Sequence, residues 1–376
     1  MILDKVTDLY KKFEVYISVV TFSFGLVVTF LTLTRVDMFM ENFWIVVNLL
    51  LVAFSIFTLT FYENKAEQKL LKVVESPLAI AKLHLNKQRL HFYFILLIQF
   101  AFGGLFSTFF VFYIRSSSLS DSWFFILIIA ILLVGNEIWK KHYTRLVFQI
   151  SVFFVSLYLF LIFLLPVLFH RLGVDLFLLA GIISLLIILT FLWLLKKKAK
   201  EKFKSQRQSL RVSIFIIFIL MNILYFTNAI PPIPLSLKDS GVYHKLVKVA
   251  NDKYEVLGQP IDWRYYLRGY PVFQKRLGEP IYVLTAIFSP IKFDEEIIHQ
   301  WQYYDQIEKK WIDSSKISLP IVGGRDNGYR TYSLKYSVPT GLWRVKVMTV
   351  RGQVLGKIKF RVENVTASPE LITEVL

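Results

Sequence analysis

The stretch Val322–Val362 has the sequence VGGRDNGYRTYSLKYSVPTGLWRVKVMTVRGQVLGKIKFRV, and it decides the C-terminal fold. Apolar and polar residues alternate along it, and Gly-containing turns interrupt the alternation. Trp343 and Val345 fall on one side of a strand, while Arg344 and Lys346 fall on the other. A period of two residues is typical of a β-strand with one buried face.

The same pattern recurs from residue 281 onward and predicts six strands. They are Ile281–Phe288, Ile297–Tyr304, Ile317–Ile321, Arg330–Val338, Leu342–Val350 and Leu355–Val362. Short strands without helical segments between them favour an all-β antiparallel sandwich of immunoglobulin-like type at 279–364. We expect 231–278 to be a linker with a hairpin formed by Val242–Val249 and Tyr254–Leu257, and 365–376 to be a tail.

The N-terminal part has a different composition, because it is a series of long apolar segments. The chain has 376 residues, 55% of them hydrophobic, and a mean hydropathy of +0.52, which indicates a membrane protein. We predict an α-helical polytopic membrane domain at 1–230 with about seven spans, each near the length of a bilayer core. The spans are Val15–Thr34, Phe43–Tyr62, Phe92–Ile114, Ser122–Trp139, Leu146–Phe169, Val174–Leu195 and Val212–Ile230.

Basic residues alternate between the connections of these spans. Twenty Lys and Arg lie in the N-terminal segment and in the connections after the second, fourth and sixth spans. The other three connections hold only Arg35, Arg115 and Arg171. This positive-inside bias predicts a multi-pass membrane protein with a cytoplasmic N-terminus and an extracytoplasmic C-terminal domain. The net charge of +17 is therefore explained by topology, and nucleic-acid binding is not expected.

Two cytoplasmic segments leave alternatives open. The connection Glu63–His91 is either an interfacial helix on the inner leaflet or a helical extension of its neighbouring spans. The run KKKAKEKFK at Lys196–Lys204 either contacts anionic lipid or only fixes topology. The residues of that lipid contact are Lys196, Lys197, Lys198 and Lys200.

One turn of the β region is the first candidate for a binding site. Its glycines, at 323, 324 and 328, allow a positive φ and a tight turn. Its two arginines, at 325 and 330, either clamp an anionic group or pair with the acidic run 294–296. Together with an aromatic and acidic pair at the end of an earlier strand, the predicted binding residues are Arg325, Asp326, Asn327, Tyr329, Arg330, Tyr304 and Asp305.

Several kinds of chemistry find no support in the sequence. The chain has no Cys, which excludes disulfides and thiolate sites. His244 and His299 do not supply the three or four ligands that zinc needs. A solvated loop explains the carboxylates at Asp294–Glu296 better than a glycosidase pair does. We therefore predict no catalytic residue, no metal and no cofactor, and an enzyme is the less favoured class.

A set of short motifs extends through the C-terminal third. They are PPIPLSLK at Pro231–Lys238, GVYH at Gly241–His244, IYV at Ile281–Val283, HQWQYYD at His299–Asp305, GGRD at Gly323–Asp326, GYR at Gly328–Arg330, GLWRV at Gly341–Val345 and RGQVLG at Arg351–Gly356. In this combination the C-terminal third resembles a known family, the bacterial membrane proteins grouped as domain of unknown function family 2914. The resemblance implies several spans followed by an all-β module outside the inner (plasma) membrane, and it supplies no catalytic residues.

Three functions follow from this architecture. The favoured hypothesis is a binding or scaffolding module for an envelope glycan or for a membrane or periplasmic protein. A transporter or channel with an accessory external domain is the alternative, and it predicts that Asn48, Gln99 and Asn222 converge on a cavity. An envelope-modifying enzyme is a weaker third.

Overall fold

The computed structural model describes residues 27–33, 39–72, 77–138, 142–143, 145–249, 253–260, 268–290, 294–322 and 328–376. These residues form two compact units. The first contains most of the helical segments. The second, which we call the β unit, contains Tyr225–Leu376 together with the short segments Ile114–Phe124 and Pro166–Gly173.

The helical part begins with a segment at 27–32, α1, and continues with six long helices. All six are long and apolar enough to cross a membrane, which confirms six of the predicted spans. Only 27–33 of the first predicted span, Val15–Thr34, is described, and the rest of that span lies outside the described residues. The six helices are α2 Phe39–Lys72, α3 Pro77–Arg115, α4 Leu119–Ile138, α5 Leu146–Phe169, α6 Val174–Lys198 and α7 Lys200–Phe226.

The connection between α2 and α3 is largely helical. Helix α2 continues to Lys72, and α3 already begins at Pro77, where the fixed φ of proline suits the first helical position. This confirms the helical extension of the two spans. At the end of α6, Lys196, Lys197 and Lys198 lie in the last turn, and their contact with anionic lipid stays a prediction.

Aromatic rings fill much of the interior of the helical unit. Phe163 lies edge-on to Phe109 at 6.1 Å and to Phe112 at 5.8 Å between ring centroids, a geometry that aromatic pairs prefer. The polar side chains are used between or along helices. Asn48 and Asn222 donate to backbone carbonyls of their own helices, and the Asn136 side chain donates to the backbone carbonyl of Gln99 at 3.0 Å. The described contacts therefore do not bring the three amides of the transporter hypothesis together.

The β unit contains eleven described strands, which include all six that the sequence predicts. They are β1 Ser236–Tyr243, β2 Lys245–Lys248, β3 Tyr254–Gly258, β4 Val272–Lys275, β5 Ile281–Phe288, β6 Asp294–Asp305, β7 Lys310–Val322, β8 Tyr329–Lys335, β9 Gly341–Thr349, β10 Val354–Asn364 and β11 Ile372–Val375.

Two sheets enclose the main core. One has the strand order β1-β5-β8, and the other has the order β4-β10-β9-β6-β7. Side chains from both sheets form one buried cluster, in which Val283 and Ile287 of β5 meet Trp301, Val345 and Phe360 of the larger sheet. The sandwich architecture is confirmed. One detail differs from the prediction, because β4 pairs parallel to β10 instead of antiparallel.

Segments outside the predicted sandwich also carry strands. The predicted hairpin is present as β2 and β3. The expected linker also contributes β1, which pairs with β5, and β4 at the sheet edge. The expected tail contributes β11, which pairs with β3 to complete a third sheet, β11-β3-β2. Strands β4 and β11 were missed because four-residue strands carry too little alternation to be recognised, and the partner strands of β1, β4 and β11 all lie far away in sequence.

A histidine lies fully buried in the main core with three hydroxyl or indole groups around it. His299 Nδ1 is 2.9 Å from Ser333 Oγ, and its Nε2 is 3.1 Å from Thr285 Oγ1. Trp301 Nε1 donates to the same Ser333 Oγ at 3.0 Å. Burial lowers the pKa of His299 to about 4, so the imidazole is neutral and the network links the two sheets without a buried charge.

The β unit also holds its own N-terminal segment in place through the β9–β10 turn. Arg351 donates to the Tyr225 carbonyl at 3.0 Å and stacks 3.5 Å from the centroid of the Tyr225 ring. Gln353 Nε2 donates to the Ile230 carbonyl at 3.0 Å. Because the Tyr225 carbonyl lies in the last turn of α7, the Arg351 guanidinium there also complements the helix dipole.

Candidate functional site

Four strands of the larger sheet present a polar surface opposite the core. Along β9, Arg344 and Lys346 alternate with the buried Trp343, Val345 and Val347. The same alternation along β6, β7 and β10 places basic and aromatic side chains on that surface. We call this surface the basic aromatic face, and its residues are Tyr304, Trp311, Arg344, Lys346, Lys357 and Lys359.

Strand register brings these residues together from distant parts of the chain. Tyr304 pairs with Trp311 between β6 and β7. Arg344 lies opposite Lys359, and Lys346 lies opposite Lys357, between β9 and β10. Directly opposite side chains on one face of an antiparallel pair are neighbours. The face is therefore continuous across the sheet.

Trp311 is the centre of the aromatic part. Its ring lies 5.3 Å from the Tyr304 ring, in an edge-on arrangement. The Arg344 guanidinium carbon lies 4.1 Å from the Trp311 centroid, and Lys359 Nζ lies 5.9 Å from it. Trp is the strongest cation–π partner among side chains, so these contacts fix the ring beside two positive charges.

A hydrogen-bond network holds the polar part of the face rigid. Gln300 Nε2 donates to Asp313 Oδ2 at 2.7 Å, and Gln302 Nε2 donates to the other carboxylate oxygen. Arg344 Nε donates to Gln302 Oε1 at 2.6 Å. Each of these side chains is oriented by a hydrogen bond to its neighbour. Binding surfaces need such supporting contacts to keep their side chains in fixed positions.

Lys357 is neutralised from outside the sheet. Its Nζ lies 2.7 Å from Asp121 Oδ2 and 2.9 Å from Ser120 Oγ. Both partners belong to the short segment Ile114–Phe124, which is part of the β unit. A half-buried ion pair of this kind fixes the position of a side chain more than it stabilises the fold.

A groove adjoins the face on the side of β10. It has a volume of about 830 Å³ and shares Lys357 and Lys359 with the face. Tyr270 lies on its wall, and Lys359 Nζ is 5.4 Å from the Tyr270 ring centroid. Acidic side chains, among them Asp239 and Glu374, also line it. Charged and aromatic side chains therefore lie together along this groove.

Among the predicted binding residues that the structure describes, Tyr304 and Asp305 lie apart from Tyr329 and Arg330. Tyr304 belongs to the basic aromatic face, whereas the Asp305 carboxylate accepts from the backbone N–H groups of Ile307 and Glu308 and shapes the β6–β7 turn. Tyr304 lies beside the start of β7, a strand of 13 residues. Tyr329 and Arg330 begin β8, which follows the other end of β7 in the chain. At about 3.3 Å per residue, the two ends of β7 are roughly 40 Å apart.

The turn before β8 is only partly described. Arg325, Asp326 and Asn327 lie outside the described residues. Gly328 has a φ of 85°, and a Cβ there would lie 3.0 Å from the backbone of Ala286 and Ile287, so this position requires glycine. Tyr329 packs against the main core, and the Arg330 carbonyl accepts from Tyr254 at 3.4 Å. The binding roles of these residues stay predictions.

The two histidines named by the sequence have separate surroundings. His244 stacks on Phe273 with 4.3 Å between centroids and contacts Gln259, and burial lowers its pKa. His299 lies in the core network. Within the described ranges, no group of three His, Cys, Asp or Glu side chains is arranged to hold a metal ion.

The family comparison maps onto the strands that form the face. Residues 294–362 match the family model of DUF2914, a protein of unknown function. The predicted resemblance is thus confirmed for this segment. The DUF2914 match runs from β6 through β10 and includes all six residues of the basic aromatic face.

Other comparisons give only distant likenesses. A search of curated proteins gave no significant match. A Listeria innocua beta-glucosidase in complex with isofagomine is 13% identical, with 36% of this chain and 16% of the enzyme covered and a TM-score of 0.20. Pseudomonas fluorescens alkylpurine DNA glycosylase AlkC bound to DNA containing an abasic site analog is 10% identical, with 86% and 99% covered and a TM-score of 0.22. The chain thus spans about one sixth of the length of the beta-glucosidase, and scores this low carry no argument.

Of the six residues of the face, sequence reasoning named only Tyr304 as a binding residue. The alternation did place Arg344 and Lys346 on a polar side, but a solvated strand face has the same pattern. Trp311 lies before the predicted strand Ile317–Ile321, because β7 begins seven residues earlier than the prediction. The polar run from Asp313 to Lys316 hides the start of this strand, which pairs along its length with the strongly predicted β6.

Proposed function

We propose that this protein is a membrane-anchored, non-enzymatic binding module of the cell envelope that holds a glycan on its basic aromatic face. The β unit lies outside the cytoplasm and the helices anchor it. The observation that carries the proposal is the fixed arrangement of Trp311, Tyr304 and Arg344 on one sheet surface.

The chemistry of the face suits a sugar chain. An aromatic ring has an electron-rich face that attracts the C–H groups on the flat side of a pyranose. Arg and Lys donate hydrogen bonds to sugar hydroxyls and have no acceptor of their own, whereas the Asp313 carboxylate accepts. A sheet surface with these groups in fixed positions can hold an extended polymer without closing over it.

Binding should depend on Trp311 in a way that folding does not. We expect Trp311→Ala to weaken glycan binding by about tenfold or more, because aromatic anchors dominate binding energies. The measurement is a glycan array followed by interferometry on the full chain in lipid nanodiscs. Tyr336→Ala is the matched control, since Tyr336 is an exposed aromatic residue, 64% accessible, that follows β8. Equal losses in the two variants, or an array without a signal, would contradict the proposal.

The location of the β unit is a second part of the proposal. It is supported by the charge bias and by the segments Ile114–Phe124 and Pro166–Gly173, which join the β unit. These segments contain two of the three weakly basic connections, with Arg115 and Arg171. Both should therefore lie on the side opposite the Lys-rich connections.

A topology reporter tests this location directly. We expect an alkaline phosphatase domain fused after Lys238 to be active and a green fluorescent protein fused there to be dark, because Lys238 follows the last span and should be outside. A reporter fused after Lys200 is the control and should show the reverse. A fluorescent fusion after Lys238 would overturn the proposed orientation.

A further inference from the structure

We infer that the glycan held by this face is acidic, and that its charged group sits among Arg344, Lys346, Lys357 and Lys359. This inference rests on the proposed function and names the chemical class of its ligand. We call the four residues the cation square.

The cation square is an unfavourable arrangement for a sheet without a ligand. Lys346 lies directly opposite Lys357, and Arg344 lies directly opposite Lys359. Like charges in directly opposite positions of an antiparallel pair destabilise it. Two such pairs are adjacent here, since Arg344 and Lys346 are two residues apart on the same face of β9.

The neighbouring carboxylates neutralise only one member of the square, Lys357. Asp121 is held by Lys357. Both Asp313 oxygens accept from the glutamines at 300 and 302. Within the part of the chain that the structure describes, no ion pair to Arg344, Lys346 or Lys359 is formed. Partial burial, together with the charges of Arg344 and Lys357, lowers the pKa of Lys346, although the Asp121 and Asp313 carboxylates act in the opposite direction.

An anionic group would resolve this repulsion. A carboxylate or phosphate offers several acceptor oxygens, and charge-assisted hydrogen bonds to Arg and Lys are stronger than neutral ones. Trp311 lies against two members of the square, 4.1 Å from Arg344 and 5.9 Å from Lys359. A sugar ring stacked on Trp311 would therefore place an acidic substituent next to positive charge.

The test compares polymers that differ in charge. The full chain in phosphatidylcholine nanodiscs is presented with polygalacturonate, with its neutral methyl ester, and with a glucosylated polyglycerol phosphate. We expect at least one acidic polymer to bind about tenfold more tightly than the methyl ester at about 150 mM salt, and this preference to shrink at about 500 mM as screening increases.

Two double variants that lose the same charge distinguish binding at the cation square from general electrostatic attraction to the protein. Lys346→Gln combined with Lys359→Gln should remove about tenfold of the affinity for the acidic polymer, because two of the positive charges are lost. Lys245→Gln combined with Lys253→Gln removes two exposed lysines at the third sheet and should leave affinity within about twofold. We also expect the first variant to unfold at the same temperature or higher, since it relieves repulsion.

Each outcome has a definite meaning. If the methyl ester binds as tightly as polygalacturonate and the polyglycerol phosphate, glycan binding stands and the acidic class is wrong. If no polymer binds and the glycan array is also empty, the proposed function itself fails. If both double variants lose the same affinity, the attraction is general and the square is not the site. If only association with phosphatidylglycerol vesicles changes in the first variant, the ligand is a lipid headgroup and the inference is overturned.

Discussion

Replacing Trp301 with alanine is expected to unfold the β unit under conditions where the wild-type unit is stable. Trp301 is fully buried between the two sheets, lies edge-on to Phe360 at 6.1 Å and to Trp343 at 6.5 Å, and donates to Ser333. Removing a buried tryptophan costs about 3–5 kcal/mol. A domain with a total stability of roughly 5–15 kcal/mol cannot lose this amount without a large shift in its unfolding midpoint.

Trp311→Ala is the matched control for this experiment. The two tryptophans lie on paired strands of the same sheet, but Trp311 is on the outer surface, where we expect a cost of less than about 1 kcal/mol. Urea unfolding of the full chain in detergent, followed by pulse proteolysis of the β unit, measures both variants. Comparable shifts for Trp301→Ala and Trp311→Ala would show that the core assignment is wrong.

Acidification is expected to weaken the β unit through His299. The folded pKa is about 4, and the unfolded value is about 6.5. Above pH 6.5 the imidazole is neutral in both states, and its contribution to stability is fully present. Between pH 6.5 and 4 only the unfolded chain binds the proton, so stability falls as pH falls, by about 1.4 kcal/mol per pH unit and about 3 kcal/mol in all.

His299→Gln isolates this contribution. The variant should start from a lower stability at pH 7, because the contacts with Thr285 and Ser333 change, but its stability should depend less on pH between 6.5 and 4. His244 contributes in the same direction, since burial also lowers its pKa, so His244→Gln serves as the comparison. The measurement is the urea unfolding midpoint at half-unit pH steps. Parallel curves of midpoint against pH for wild type and His299→Gln would refute a contribution of His299 to the pH dependence.

Much of the architecture could be predicted because its signals are local. A membrane span needs only a continuous apolar run of the right length, and Leu146–Phe169 was predicted with the same ends that α5 has. Strand β5 was likewise predicted at Ile281–Phe288, since the run is apolar and rich in β-formers. The alternation along β9 placed Trp343 and Val345 in the core, where the structure has them.

The candidate site could not be predicted, because it depends on which strands become neighbours. Gln302, Asp313, Arg344 and Lys359 each have an ordinary polar setting in the sequence. They meet only because β7, β6, β9 and β10 are adjacent in that order with one register. A shift of one residue in any pairing would move a side chain to the other face.

The stretch Val322–Val362 shows which features the sequence determines and which depend on the tertiary structure. By itself the sequence determined that this stretch contains strands, that Trp343 and Val345 are buried, and that long apolar helices precede it, because hydropathy and periodicity are local properties of neighbouring residues. Only the tertiary structure decided that β4 and β11 join the sheets, that Arg351 holds the end of α7, and that four cations lie side by side next to Trp311. These features depend on contacts between residues far apart in sequence, and such contacts are set by the packing of the whole unit.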